Sequence, residues 1–161
     1  MSPTNNNIIS KEGQSGRVIV ARLKTGSDLY ISLQEIVLKY GVKAAVILSG
    51  VGLLSKARLR NCKNLPEEFP ITDQNRDYAS FEIPLEILGI SGNISMAEEK
   101  PHVHAHMVLS SVDDEKIRVI GGHMIEGSII HGFSEIIIME ITEIEMLKEY
   151  DPETKTLQLY K

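Results

Sequence analysis

Apolar and polar residues alternate along most of this chain, and one stretch departs from that rhythm to a helical period. Residues 17–23, Arg-Val-Ile-Val-Ala-Arg-Leu, are β-rich and closed by Thr25 and Gly26, which predicts a first strand. Leu29, Leu33, Ile36, Val37 and Tyr40 then recur at i, i+4, i+7, i+8 and i+11. That stripe is an amphipathic helix, with Ser27 or Asp28 placed to cap its start and Gly41 placed to end it. Its apolar face needs a sheet to cover.

The remainder reads as strand. Residues 44–52 form a short apolar run ending in Gly50 and Gly52, the pattern of a strand buried on both faces that then turns tightly. Residues 54–62 alternate. Residues 63–79 contain Pro66, Pro70 and several charges and read as a long surface connection, followed by a short strand around 78–83. Residues 85–94 are another strand, softened by glycines that indicate a bulge or a close backbone approach. Asp113, Asp114 and Glu115 separate residues 101–109 from residues 117–120, as a hairpin loop would. Residues 134–141 are apolar on both faces, which fits a central or interface strand. The pattern divides the chain into a frayed polar arm at 1–14, one domain at 15–146 and a tail at 147–161.

Composition adds a compartment. Among 161 residues the single cysteine, Cys62, cannot close an internal disulfide, so a reducing cytoplasm is the expectation. No apolar run reaches transmembrane length, and the N-terminus lacks the basic and apolar regions of a signal peptide. No membrane partner is expected.

Charge is split. Residues 1–63 carry ten Lys/Arg against three Asp/Glu, whereas residues 64–161 carry seven against nineteen. The basic half contains Lys56, Arg58 and Arg60, alternating with Ala57 and Leu59. On a strand these three form one basic stripe and are the candidate nucleic-acid contacts. The plainer reading is a solvated or salt-bridged face, since only three charges align and no aromatic residues are interleaved.

The candidate chemistry lies in the histidines. His102, His104 and His106 stand on alternate residues, and His123 follows Gly121 and Gly122, so four of five histidines fall within 22 positions. On a strand the first three share a face with neighbours about 6.5 Å apart, close enough for two imidazoles to converge on one ion. A third from another element completes an open three-ligand site of zinc type. The alternative is a solvated polar strand face. The glycine pair permits positive φ or close backbone approach, letting His123 turn toward a neighbouring strand. Glu126 and Glu135 are candidate carboxylates to orient an imidazole through its free N–H, and Glu86 is a candidate pocket residue. Each of the three has an ordinary reading as a solvated or salt-bridged carboxylate. His131 has no partner spacing. Phosphate-loop, dinucleotide, cysteine-cluster and nucleophile-elbow signatures are all missing.

Taken in order, residues 16–24, the helix, residues 48–52 (Leu-Ser-Gly-Val-Gly), residues 85–88, His104-Ala105-His106, Gly121-Gly122-His123 and residues 135–138 resemble the plants and prokaryotes conserved (PPC) domain family. The resemblance runs from about Gly16 to Glu145. It implies an α+β fold, an antiparallel-rich β-sheet with one main helix packed on it, assembled as a homotrimer. It also implies a bound metal at the positions of His104, His106 and His123, a divalent ion of zinc type. His102 lies outside that pattern, as an accessory ligand or simply a polar residue. The basic AT-hook of the plant members has no counterpart, so DNA binding is expected to be weak or absent. Two functions stay open: a trimeric binding or interaction module holding a metal, and a metal-dependent, hydrolase-like enzyme using the three histidines. The protein or small-molecule partner is not specified by either.

Overall fold

A computed structural model describes residues 8–160. The expected frayed arm falls in part on residues 1–7, which lie outside the described residues; residues 8–13 carry neither helix nor strand. The elements in order are β1 (Gln14–Lys24), α1 (Leu29–Tyr40), β2 (Ala45–Cys62), a single 3-10 turn at Asp73–Asn75, and β3 (Arg76–Phe81). They continue with β4 (Leu85–Ala97), β5 (Lys100–Asp113), β6 (Lys116–Met124), β7 (Ile129–Thr142), β8 (Lys148–Asp151) and β9 (Thr156–Leu159).

Seven strands form one sheet in the order β1-β7-β2-β4-β5-β6, with β3 paired to β2 and β6 returning to pair β2 as well. Every neighbouring pair is antiparallel. The fold class is the expected one. Asp28, not Ser27, caps the helix: its Oδ1 accepts from the backbone N–H groups of Tyr30 (2.9 Å) and Ile31 (3.2 Å). Its other oxygen accepts from Gly127 N–H at 2.7 Å, tying the helix start to the loop that joins β6 and β7. Gly41 ends the helix at φ 67°, a left-handed conformation that glycine adopts without steric cost.

The helix stripe does what its period demands. Leu29, Leu33 and Val37 are fully buried against a sheet face built from Leu54, Leu59, Leu85, Ile94, Met107, Ile136 and Ile138 among others. Burying each large aliphatic side chain contributes about 1.5–3 kcal/mol. The core is therefore aliphatic and one-sided.

The expected turn after residues 44–52 does not occur. β2 runs unbroken for 18 residues and spans the sheet, pairing β4 and β7 with its first part and β3 and β6 with its second. Its glycines serve register rather than reversal. The pairing with β7 shifts between Gly52 and Leu53, where Gly52 takes φ 146° and a Cβ would lie 2.6 Å from the Cα of Ser134. A bulge, not a turn, is the physical outcome.

Residues 148–159 form a β8–β9 hairpin whose turn is held by Asp151, which accepts from Thr154 N–H (2.9 Å) and Thr154 Oγ1 (2.6 Å). Met96 N–H donates to Met146 O at 2.9 Å, fastening the hairpin's base to β4. Among the described residues, no helix is long and apolar enough to cross a membrane.

Candidate metal centre

β5 divides its side chains cleanly. Val103, Ala105, Met107 and Leu109 point into the core and are at most 1% exposed. His102, His104 and His106 point the other way, as the period of two requires. β6 delivers the next histidine: His123 is paired with His106 across the β5–β6 ladder and with Arg60 across the β2–β6 ladder.

His123 gets there by close packing, not by positive φ. Gly121 and Gly122 both have ordinary φ, but a Cβ on Gly121 would lie 3.0 Å from Met107 O, and one on Gly122 would lie 2.5 Å from Asn61 Oδ1. Asn61 in turn donates to Gly121 O at 3.1 Å. The glycine pair thus lets β6 sit tightly between β5 and β2.

His104, His106 and His123 offer ring nitrogens that all lie within 4.8 Å of one another. Their ring centroids are 5.6 Å (His104–His106), 5.2 Å (His104–His123) and 5.2 Å (His106–His123) apart. Nitrogens about 2.0–2.1 Å from a tetrahedral zinc are separated from each other by about 3.3 Å, so modest side-chain rotation closes the remaining gap. A donor set of three imidazoles fits a borderline metal and not a hard one such as Mg or Ca.

The protonation states suit ligation. Burial, then the Arg60 guanidinium, then the neighbouring imidazoles push His123 down to about 3. His104 is held below the usual imidazole value by burial first, then by the Lys148 ammonium, His106 and Arg60. His102 is lowered by burial and again by Lys148. These rings are neutral at pH 7, the form that binds metal.

A cavity of about 640 Å³ opens beside the histidines, with His102, His104 and His123 on one wall. Tyr30 of the helix, Phe69 and Ile71 of the β2–β3 connection, and Lys148 and Leu157 of the terminal hairpin line the rest. Glu126 also lines it, while Glu135 does not: Glu135 is exposed on β7, opposite Arg22 and Val51, with β2 and β4 between it and the histidine strand. Glu86 lines a separate surface pocket of about 430 Å³ with Ser110 and Ser111. His102 shares the face of the other histidines and its buried Nδ1 has no hydrogen-bond partner among the described residues, yet it stays outside the converging trio. His131 is exposed on β7.

The basic stripe is broken up. Ala57 and Leu59 face inward as expected, but Lys56 is paired with Glu82 at 2.7 Å, Arg58 reaches Glu126 O at 3.4 Å, and Arg60 lines the cavity. Sequence spacing could not separate Arg60 from the other two, because the pairing of β2 with β6 is what sets it beside His123. Lys148 and the hairpin carried no signal at all: four-residue strands are too short for periodicity to register.

Similarity to known proteins accords with this geometry. The bifunctional protein GlmU of Synechococcus sp. strain JA-3-3Ab is 33% identical over 144 residues, which is 89% of this chain. This chain spans about a fifth of the length of that protein. A metal-containing protein from Archaeoglobus fulgidus superposes with a TM-score of 0.77 at 25% identity, covering 96% of this chain and 100% of the other. A plant- and prokaryote-conserved protein from Pyrococcus horikoshii superposes with a TM-score of 0.76 at 23% identity, covering 96% and 97%. The Plants and Prokaryotes Conserved (PCC) domain matches residues 10–142, and the chain belongs to that family.

Proposed function

We propose that this protein is a metal-binding interaction module in which His104, His106 and His123 hold one divalent ion of zinc type per chain. The observation that carries the reading is the convergence of three imidazoles, from two strands, to within 4.8 Å. The metal content of the Archaeoglobus relative supports it. Elemental analysis of protein purified without added metal tests it, with about one equivalent of a first-row metal expected and a metal-free chain the outcome that overturns it.

Assembly as a homotrimer belongs to the same proposal. The sheet face turned away from the helix presents Val18 (58% exposed), Val20 (71%), Val51 (47%), Leu88 (54%), Val108 (46%) and Val119 (61%) to solvent. So much apolar surface on one face is a mark of an interface. The number three follows from the family resemblance. Light scattering should give about three times the 17.9 kDa chain mass; a clean monomer at micromolar concentration sinks the idea.

The second reading, a metal-dependent hydrolase, is favoured by one observation: an open cavity stands beside the histidines with Glu126 on its wall. There a bound metal would supply a water of lowered pKa and Glu126 would accept its proton. Hydrolysis of generic ester or phosphodiester substrates that disappears both on stripping the metal and in Glu126→Gln would select this reading over the module.

A further inference from the structure

We infer that the cavity beside the histidines binds a small organic anion, whose carboxylate or phosphate head is held between Arg60 and Lys148. The inference deepens the metal-centre reading and rests on it only for what the far side of the head would face.

The charge balance of the cavity points to it. Three cationic side chains line it, Arg60, Arg76 and Lys148, against a single carboxylate, Glu126. Arg76 is already neutralised by Asp73 at 3.2 Å. Among the described residues Arg60 and Lys148 form no ion pair, although both are partly buried. A partly desolvated cation without a counter-ion is costly, and the cost falls when an anion enters beside it.

The two cations line one cavity from different elements. Arg60 is in register with His123 on the neighbouring strand, and Lys148 reaches the wall from the terminal hairpin. Both stand in the same cavity lining as His104 and His123. Burial also holds the Lys148 ammonium below its usual value, a penalty that a bound anion relieves.

Size and lining choose an organic anion over a bare ion. A cavity of about 640 Å³ is in the range of small-molecule sites, roughly 300–1,000 Å³, and far exceeds one phosphate. Its apolar side, from Tyr30, Phe69, Ile71 and Leu157, offers contact for a carbon skeleton or ring. Lys148 and Leu157 lie beyond residue 142, where the family match ends.

Calorimetric titration of the full chain with inorganic phosphate and, separately, with benzoate tests the inference, each on metal-free and zinc-loaded protein. The expected result is saturable binding of at least one probe to the metal-free protein. Arg60→Gln and Lys148→Gln should each weaken it about tenfold or more, the scale of one lost charge-assisted hydrogen bond. Lys56→Gln, on the same strand but already paired with Glu82, should leave it unchanged. Phosphate binding with benzoate excluded assigns a phosphate head; the converse assigns a carboxylate. Lys148 sits on the peripheral hairpin, so Lys148→Gln decides the matter if Arg60→Gln fails to fold. No saturable binding of either probe in either metal state overturns the inference, as does binding indifferent to both substitutions. Anion binding by a chain that takes up no zinc would leave this inference standing and sink the metal centre alone. One zinc per chain with neither anion bound would do the reverse.

Discussion

The two faces of β5 are one strand with two jobs. Toward the helix it presents Val103, Ala105, Met107 and Leu109, all essentially without solvent contact; away from it, His102, His104, His106 and then Val108, which is 46% exposed. Neighbouring residues less than 4 Å apart along the backbone thus belong to different problems. The inner row is fixed by packing, where every methylene is felt. The outer row is free of that demand, so its residues answer to chemistry and assembly. Substitutions one position apart on β5 should therefore separate stability from metal binding.

The largest expected effect lies on the inner face. Met107→Ala removes a fully buried side chain that touches the core cluster, and large-to-small core changes cost about 2–5 kcal/mol. Denaturant unfolding of metal-free protein should show a loss in that range, while the fraction still folded keeps its metal. A loss below about 1 kcal/mol would mean the inner face is not under packing control.

On the outer face the effects should invert. His104→Ala, His106→Ala and His123→Ala are each expected to remove most of the metal, and His102→Ala to remove little, as measured by metal-to-protein ratio. Metal-free His104→Ala should unfold within about 0.5 kcal/mol of wild type, since His104 is exposed and alternates with the buried Val103 and Ala105 that face the core. Full metal content in His123→Ala would break the proposed centre.

Acid should sharpen the contrast further. His123 is held near 3 when folded, against an ordinary 6.5 when unfolded. Between those values the unfolded chain binds the proton and the folded chain does not, so protonation draws the equilibrium toward unfolding as pH falls. Metal-free protein should therefore lose stability progressively from about pH 6.5 toward pH 3. His123→Gln should flatten that part of the curve, whereas Met107→Ala should shift the whole curve down without changing its slope. Parallel pH profiles for wild type and His123→Gln would refute the assignment.

What was legible in the sequence divides along the same line. The helix, the histidine strand and the β5–β6 hairpin rest on local periodicity or local spacing, and backbone geometry turns such patterns directly into faces; the choice of His104, His106 and His123 among four histidines rests on the family resemblance. What stayed hidden depends on pairing between distant segments. The glycines at 50 and 52 look like a turn by composition, yet β7 packs against them and converts them into a bulge within one long strand. Arg60 looks identical to Lys56 and Arg58 until β6 returns to pair with β2. The hairpin that walls the cavity has no pattern long enough to read. Register is a property of the sheet, and no window of sequence contains it.

The smallest expected effect follows from that hidden register and concerns nucleic acid. Three free cations on one stripe would contact three phosphates and give a salt slope of roughly −2.7 per chain. In the folded chain Lys56 is tied to Glu82 and Arg60 lines the cavity, which leaves Arg58 as the one stripe member pointing outward without a carboxylate partner among the described residues. One phosphate contact gives a slope of roughly −0.9, too shallow to matter at physiological salt. The acidic second half of the chain, seven Lys/Arg against nineteen Asp/Glu, opposes approach as well. Gel-shift titrations across a salt series should accordingly show weak, sequence-indifferent binding at low salt, with Arg58→Ala removing most of the little that the stripe contributes and Lys56→Ala leaving it unchanged. Tight, salt-tolerant binding to one duplex sequence would prove this wrong and would return the stripe to the centre of the protein's function.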